Sequence, residues 1–206
     1  MVSCVRAVVA GVVLIASPLS SAQGLRKADP DWPCQQIKTS SFSLASVWTG
    51  PDIDLNSETW HDDPEVADLA TKMSERRVPI EEVEKAISEF KAKEGAEANV
   101  KLLQAFGAAF QDLAQQRSQI LSGLDRFGRK QRSLADRIRA ENQVVQNAAD
   151  ARKNEAGQGS DDALQRLQWD LRVYEDRRRT ISYVCESPAL VEQRIGAVAR
   201  AVQQAL

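Results

Sequence analysis

Residues 106–148 read FGAAFQDLAQQRSQILSGLDRFGRKQRSLADRIRAENQVVQNA, and this stretch decides the fold. Its apolar side chains recur at alternating steps of four and three, which places them along one side of a helix. They are Phe106, Phe110, Leu113, Ile120, Leu124, Phe127, Leu134, Ile138, Val145 and Ala148. Arg117, Gln131 and Glu141 fill the remaining positions of this seam. A seven-residue repeat over about six heptads predicts a helix on the order of 65 Å long that pairs with another helix.

The same spacing returns beyond a turn that we predict near residues 156–160, where two glycines stand. Its positions are Leu164, Leu167, Leu171, Tyr174, Arg178, Ile181 and Cys185. Two such segments joined by a short turn predict an antiparallel helical hairpin of the coiled-coil type. We expect Leu171 opposite Val145, and Glu141 with Arg178 as a polar layer that sets the register.

Shorter helices are predicted on both sides of the hairpin. Asp62-Asp63-Pro64 opens one helix that runs to about Arg77, and Pro79 opens a second that breaks near Gly95. Ser187-Pro188 is expected to begin a last helix that returns along the lower half of the rod. The predicted fold is therefore all-α, with residues 64–206 forming a helical bundle and a long antiparallel hairpin.

Residues 23–63 are rich in Pro, Ser, Thr and Asp and predict an extended N-terminal arm, with a short helix only at 40–48. Trp32, Trp48 and Trp60 lie in this arm, and side chains so large are seldom left in water. We expect the arm to lie along the helical body. Trp169 lies off the hairpin seam and needs a cover, for which we favour the arm over a partner. All four tryptophans are candidate partner-binding residues.

Residues 1–22 have the pattern of a cleavable signal peptide. One early positive charge at Arg6 precedes an apolar run from Ala7 to Ala16, then Pro18 and the small residues before Gln23. The run is too short to cross a bilayer as a helix, so a periplasmic protein without membrane contact is expected.

Removal of this leader leaves two cysteines, Cys34 and Cys185. In an oxidising compartment such a pair predicts a disulfide, with two free thiols as the alternative. The chain has no Cys-x-x-Cys, which argues against a redox-active site. The bond fastens the arm to the joint where the last helix is expected to begin.

The remaining composition excludes several classes of function. A formal charge of -2 argues against nucleic-acid binding, which requires a basic face. The chain lacks a serine-hydrolase motif and a glycine-rich phosphate loop, so we expect neither an enzyme nor a cofactor. His61 is the single histidine, and beside Asp62 and Asp63 it is the one place where a metal site is conceivable. Helix capping by these carboxylates is the simpler interpretation, and no metal is predicted.

Four motifs resemble a family of uncharacterised exported helical proteins of Gram-negative bacteria. The motifs are Asp31-Trp32-Pro33-Cys34-Gln35-Gln36, Val47-Trp48-Thr49-Gly50-Pro51, Trp60-His61-Asp62-Asp63-Pro64-Glu65-Val66 and Tyr183-Val184-Cys185-Glu186. The resemblance spans most of the chain after the leader. It implies a periplasmic address and a helical body with paired cysteines, and it supplies no catalytic residues.

These observations predict a non-enzymatic interaction or scaffold protein of the periplasm. It would act on another envelope protein or on its own copies, since the heptads also allow a homodimer. One alternative is a periplasmic chaperone or stress-binding protein that holds unfolded clients on an exposed apolar patch. Another alternative is a metal-binding protein centred on His61.

Overall fold

A computed structural model of the chain describes residues 29–39, 41–56, 59–153 and 160–206. Four α-helices form most of this part: α1 (Pro64–Ser74), α2 (Ile80–Glu94), α3 (Ala98–Lys153) and α4 (Ser160–Ala205). Single 3-10 turns occur at Leu44–Ser46, Thr59–His61 and Gly95–Glu97. The described ranges contain no strand, so the protein is all-α, as predicted. The predicted signal peptide and most of the predicted hairpin turn lie outside the described residues.

The two short helices begin where the sequence predicts. The Asp63 side chain accepts hydrogen bonds from the backbone N–H groups of Glu65 and Val66, with Pro64 at the first helical position. α2 follows Pro79 and ends at Gly95, whose φ of 59° is the left-handed conformation that glycine adopts readily.

α1 ends at Ser74, earlier than the predicted Arg77, because a side chain from α4 caps it. The Arg194 guanidinium donates to the carbonyl oxygens of Lys72, Met73 and Val78 at 3.1, 2.9 and 2.7 Å. Two of these carbonyls belong to the last turn of α1, where the helix itself offers them no donor. Burial lowers the pKa of Arg194, and the three acceptors compensate for its lost hydration.

α3 is one uninterrupted helix of 56 residues. At 1.5 Å per residue it is about 84 Å long, more than the predicted seam requires because the helix begins at Ala98. Every predicted seam position from Phe106 to Ala148 is buried or half-buried, including Arg117, Gln131 and Glu141. The heptad pattern therefore identified the contact face of α3 correctly.

α4 is also continuous, and the predicted new helix at Ser187-Pro188 is wrong. Pro188 lies inside α4. Because proline has no backbone N–H, it removes one intrahelical hydrogen bond, and local sequence rules therefore place a helix boundary at a proline. Tertiary contacts hold the helix on both sides of it, because Cys185 is in a disulfide and Val191 is fully buried.

The core lies at the lower end of the rod, where all four helices meet. Its fully buried members include Val66 and Met73 of α1, Val83 of α2, Phe106 of α3 and Val202 of α4. A second cluster directly above joins α3 to α4, and it consists of Phe110, Leu113, Val191 and Ile195. These two clusters contain most of the buried apolar residues of the described ranges.

Above this core the hairpin has a register that differs from the prediction. Arg137 donates to the buried Asp170 across the hairpin, and Gln131 Nε2 donates to the carbonyl oxygen of Tyr174 at 3.1 Å. Asp170 is therefore level with Arg137. Val145 lies about two helical turns beyond this level, so it is not opposite Leu171.

The contact line of α4 is accordingly rotated from the predicted one. Ala163, Leu167 and Asp170 are buried, whereas Leu164, Leu171 and Arg178 are exposed. The predicted Glu141–Arg178 layer does not form, since Arg178 Nε lies 3.8 Å from Glu175 of the same helix. The prediction placed Leu171 on the contact line because apolar residues are expected there. It did not include Asp170, which can be buried on this line because Arg137 pairs with it.

The arm descends along the helical body, as predicted. Phe42 stacks on Phe110 of α3, with ring centroids 6.3 Å apart, and Trp48 packs on Phe106 at 4.7 Å. Near the lower end, Gln203 of α4 donates to the Thr49 hydroxyl at 3.0 Å. The predicted short helix of the arm is only the 3-10 turn at Leu44–Ser46.

None of the described helices has an apolar stretch long enough to cross a membrane.

Candidate interaction surface

The predicted disulfide joins Cys34 of the arm to Cys185 of α4, across a sequence separation of 151 residues. It holds the upper end of the arm against the hairpin, above the two core clusters. The described part of the arm contains 3-10 turns but no α-helix or strand, so the covalent link helps to fix its position against the hairpin.

Next to the disulfide, the arm backbone lies directly against α3 at Gly128. A Cβ atom at this position would overlap the carbonyl oxygen of Asp31 and lie 3.3 Å from Pro33 Cδ. Arg132, one turn further along α3, has Nη2 3.0 Å from Asp31 Oδ1, an ionic contact without hydrogen-bond alignment. Glycine is therefore required here for close approach of two backbones.

A charged contact holds the next part of the arm. Lys38 Nζ donates to both carboxylate oxygens of Asp125 on α3 at 2.7 and 2.8 Å and lies 5.5 Å from the Trp32 ring centre. The Asp125 carboxylate raises the pKa of Lys38. The backbone N–H of Asp31, with Lys38 as a second partner, lowers the pKa of Asp29. Lys38 thus links two acidic groups in its charged state.

Arg117 connects three segments from inside the protein. Arg117 is only 3% exposed. Its Nε donates to Glu192 of α4 at 2.6 Å, and its Nη2 donates to the Thr39 carbonyl oxygen of the arm at 2.7 Å. The guanidinium also lies 5.4 Å from the Phe42 ring centre. This polar member of the seam is satisfied by α4 and the arm together.

Three of the four candidate tryptophans have partners within the chain. Trp48 is buried in the core and donates to the Pro51 carbonyl oxygen at 2.8 Å, so its candidacy as a partner-binding residue is wrong. Trp32 is half-buried and donates to the Gln36 carbonyl oxygen at 2.7 Å. Trp60 is half-buried and stacks on His61, with ring centroids 3.4 Å apart.

Trp169 is different, because the arm does not cover it. It is 63% exposed, against our expectation, because the described part of the arm lies lower on the rod, around Gly128 and below. Tyr183 and Leu190 follow at steps of 14 and 7 residues along α4 and are 75% and 51% exposed. A step of seven residues returns to nearly the same side of a helix, so these three side chains form one line.

We call this line the outer stripe and define it as Trp169, Tyr183 and Leu190. It faces away from the contact line of α4, which runs through Ala163, Leu167 and Asp170. Val173, Asp176, Thr180 and Ser187 complete the three-and-four spacing between the stripe residues. Such a spacing is what a second helix needs in order to pack along α4. Sequence reasoning identified Trp169 and missed the other two, although the spacing from Trp169 was a usable signal.

Three exposed arginines flank the stripe: Arg166, Arg172 and Arg179. Within the described ranges none of them forms an ion pair. By contrast, Arg178 beside them is near Glu175, and Arg137 on α3 holds Asp170. The stripe therefore combines large apolar side chains with flanking arginines that have no ion-pair partner in the described ranges.

A shallow groove of about 660 Å³ lies next to Trp169, between α3 and α4. Its lining includes Arg137, Glu141, Arg166 and Asp170. Glu141 Oε2 is buried in this region without a hydrogen-bond partner. The groove adds a mixed-charge rim to the upper end of the stripe.

The alternative centred on His61 finds little geometric support. Asp63 caps α1 and lies 2.9 Å from Lys101 Nζ, and Asp62 is exposed. Across the described part of the chain, no three His, Cys, Asp or Glu residues are grouped as a metal would need.

Comparison with family models, with curated proteins and with solved structures gave no match for this chain.

Proposed function

We propose that this protein is a non-enzymatic interaction protein of the bacterial periplasm, which presents the outer stripe of α4 to another envelope protein. The observation that carries the proposal is the alignment of Trp169, Tyr183 and Leu190 on one exposed line. Scattered exposed apolar residues are ordinary on protein surfaces, whereas three large ones at heptad spacing suit a docked helix.

The scaffold supports this role. A helix of 46 residues, joined along its length to α3, keeps the stripe straight, and the lower core and the arm stabilise one end of it. Because the contact residues already lie on a regular helix, ordering them on binding costs little conformational entropy. The signal-peptide pattern of residues 1–22 motivates the periplasmic location.

Site-specific photo-crosslinking in cells tests the proposal. A photoreactive phenylalanine analogue replaces Trp169 in one variant and Tyr183 in another. Val100 of α3, which is 63% exposed but lies off the stripe, is the matched control position. We expect both stripe positions to give the same cross-linked protein, identified by mass spectrometry, and the control position to give none.

The outcomes separate the alternatives. Absence of any product at both stripe positions would rule out the proposed interaction surface. A broad mixture of unfolded proteins at all three positions would favour the chaperone alternative. Fractionation of the same cells checks the location, for which we expect a periplasmic chain that begins at Gln23.

A further inference from the structure

We infer that the partner docks an acidic amphipathic helix along the outer stripe, with its carboxylates between the positions that meet Trp169 and Tyr183. The inference rests on the proposed function and specifies the chemistry of the partner. It follows from the charges on this face of α4 and from the spacing of its large side chains.

The charge around the stripe is basic at its centre. Between Arg166 and Tyr183 this face carries three arginines that form no ion pair in the described ranges, Arg166, Arg172 and Arg179, and the one carboxylate within the three-and-four spacing there is Asp176. The other carboxylates on this face, Asp162 and Glu186, stand at its two ends. The whole chain has a formal charge of -2, so this basic region differs in sign from the average surface.

Arginine side chains suit such an interface for a physical reason. The planar guanidinium binds carboxylates with two parallel hydrogen bonds and loses less hydration energy than an ammonium group when it is covered. Aromatic residues and arginine are the side chains most enriched at binding hot spots. Trp169 and Tyr183 thus act as apolar anchors, and the arginines select the charge of the partner.

A second copy of this chain fits the same surface poorly. If two copies paired in parallel along the stripe, Arg166 and Asp176, which lie within its three-and-four spacing, would each face their own counterparts. If they paired antiparallel with Trp169 against Tyr183, Arg172 of each copy would be level with Thr180 of the other and within one residue of its Arg179. Like charges that face each other across an interface are destabilising, so the charge pattern favours a different, acidic helix.

Two synthetic helical peptides test the inference with the mature, disulfide-bonded protein. Both carry leucines at the same three-and-four spacing, one with glutamates and one with lysines at the flanking positions. Binding is measured by fluorescence anisotropy of the labelled peptide. We expect the glutamate peptide to bind with a Kd at least about tenfold lower, and its affinity to fall as salt rises.

Two pairs of variants locate the site. Arg172→Glu combined with Arg179→Glu is expected to reverse the peptide preference, whereas the matched pair Arg76→Glu with Arg77→Glu, between α1 and α2, leaves it unchanged. Trp169→Ala weakens binding of the glutamate peptide, and Val100→Ala does not. All of these positions are exposed, and circular dichroism confirms that each variant remains folded.

Equal affinity for the two peptides, or no binding of either, overturns the acidic-helix inference. If photo-crosslinking from the stripe still captures one protein, the proposed function survives without it. If the stripe also fails to cross-link, both are wrong. Sedimentation of the protein alone is the final control, because a dimer that Trp169→Ala abolishes would assign the stripe to a second copy instead.

Discussion

Gly128 of α3 and Asp31 of the arm are in direct backbone contact, with no room for a side chain between the helix and the Asp31 carbonyl oxygen. The arm therefore packs on the rod through its main chain, next to the disulfide. This contact, with the Lys38 and Arg117 contacts below it, decides that the N-terminal arm is part of the folded body.

Gly128→Ala is expected to destabilise the protein by about 1–3 kcal/mol, because the new methyl group forces two backbones apart. Gly123→Ala is the matched control on the same helix, where the nearest atom to the new Cβ is Arg126 Nη2 at 3.9 Å. That change should stabilise by up to about 1 kcal/mol through helix propensity. Urea unfolding of both variants measures the difference, and equal effects would contradict the docked arm.

Loss of the disulfide should release the upper arm and lower stability by about 2–5 kcal/mol, as expected for a loop of this length. Thermal melting of the wild type with and without reductant measures the effect. The Cys34→Ser/Cys185→Ser variant is the control, since reductant should not change its melting temperature. Limited proteolysis should then cut near residues 29–39, and an uncut arm would mean that the noncovalent contacts suffice.

Arg117→Met is expected to cost about 2–4 kcal/mol, because it leaves the Glu192 carboxylate and the Thr39 carbonyl without their donor. Arg117→Lys should recover only part of the loss, since one ammonium cannot reproduce the fork geometry. Arg139→Met is the control, because Arg139 is exposed and its ion pair within the described residues is with Asp136 on its own helix. Urea unfolding of the three variants under oxidising conditions gives the comparison.

Asp63 should contribute a pH-dependent part of the stability. The ammonium group of Lys101 lowers the pKa of Asp63 below its ordinary value of 3.8. A lowered folded-state pKa stabilises the fold above the unfolded pKa, and this contribution is lost as the pH falls through the folded value.

Asp63→Asn, which keeps the helix cap and removes the charge, should melt lower than the wild type at pH 7. The difference should shrink as the pH falls below about 4. Asp62→Asn, one residue earlier and exposed, should melt at the same temperature as the wild type both at pH 7 and below pH 4. A constant difference across this pH range for Asp63→Asn would show that the ion pair with Lys101 does not contribute.

Several elements could be predicted from local sequence because short-range physics decides them. The caps at Asp63 and Gly95 satisfy backbone groups within one turn, and the heptad line of α3 follows from the helical period alone. The disulfide followed from the cysteine count and the leader. Of the outer stripe, the sequence identified Trp169 alone, because Tyr183 was considered only as part of the Tyr183-Val184-Cys185-Glu186 motif.

The sequence by itself determined an all-α chain, the contact face of α3, the helix start at Pro64, the next start to within one residue of Pro79, and the pairing of Cys34 with Cys185. Tertiary structure alone decided that α4 continues through Pro188, that Asp170 rather than Leu171 faces α3, and that Arg194 ends α1. The physical reason is the same in each case. A proline, a buried carboxylate or a helix end is unfavourable by local rules, and contacts from residues far along the chain compensate for it.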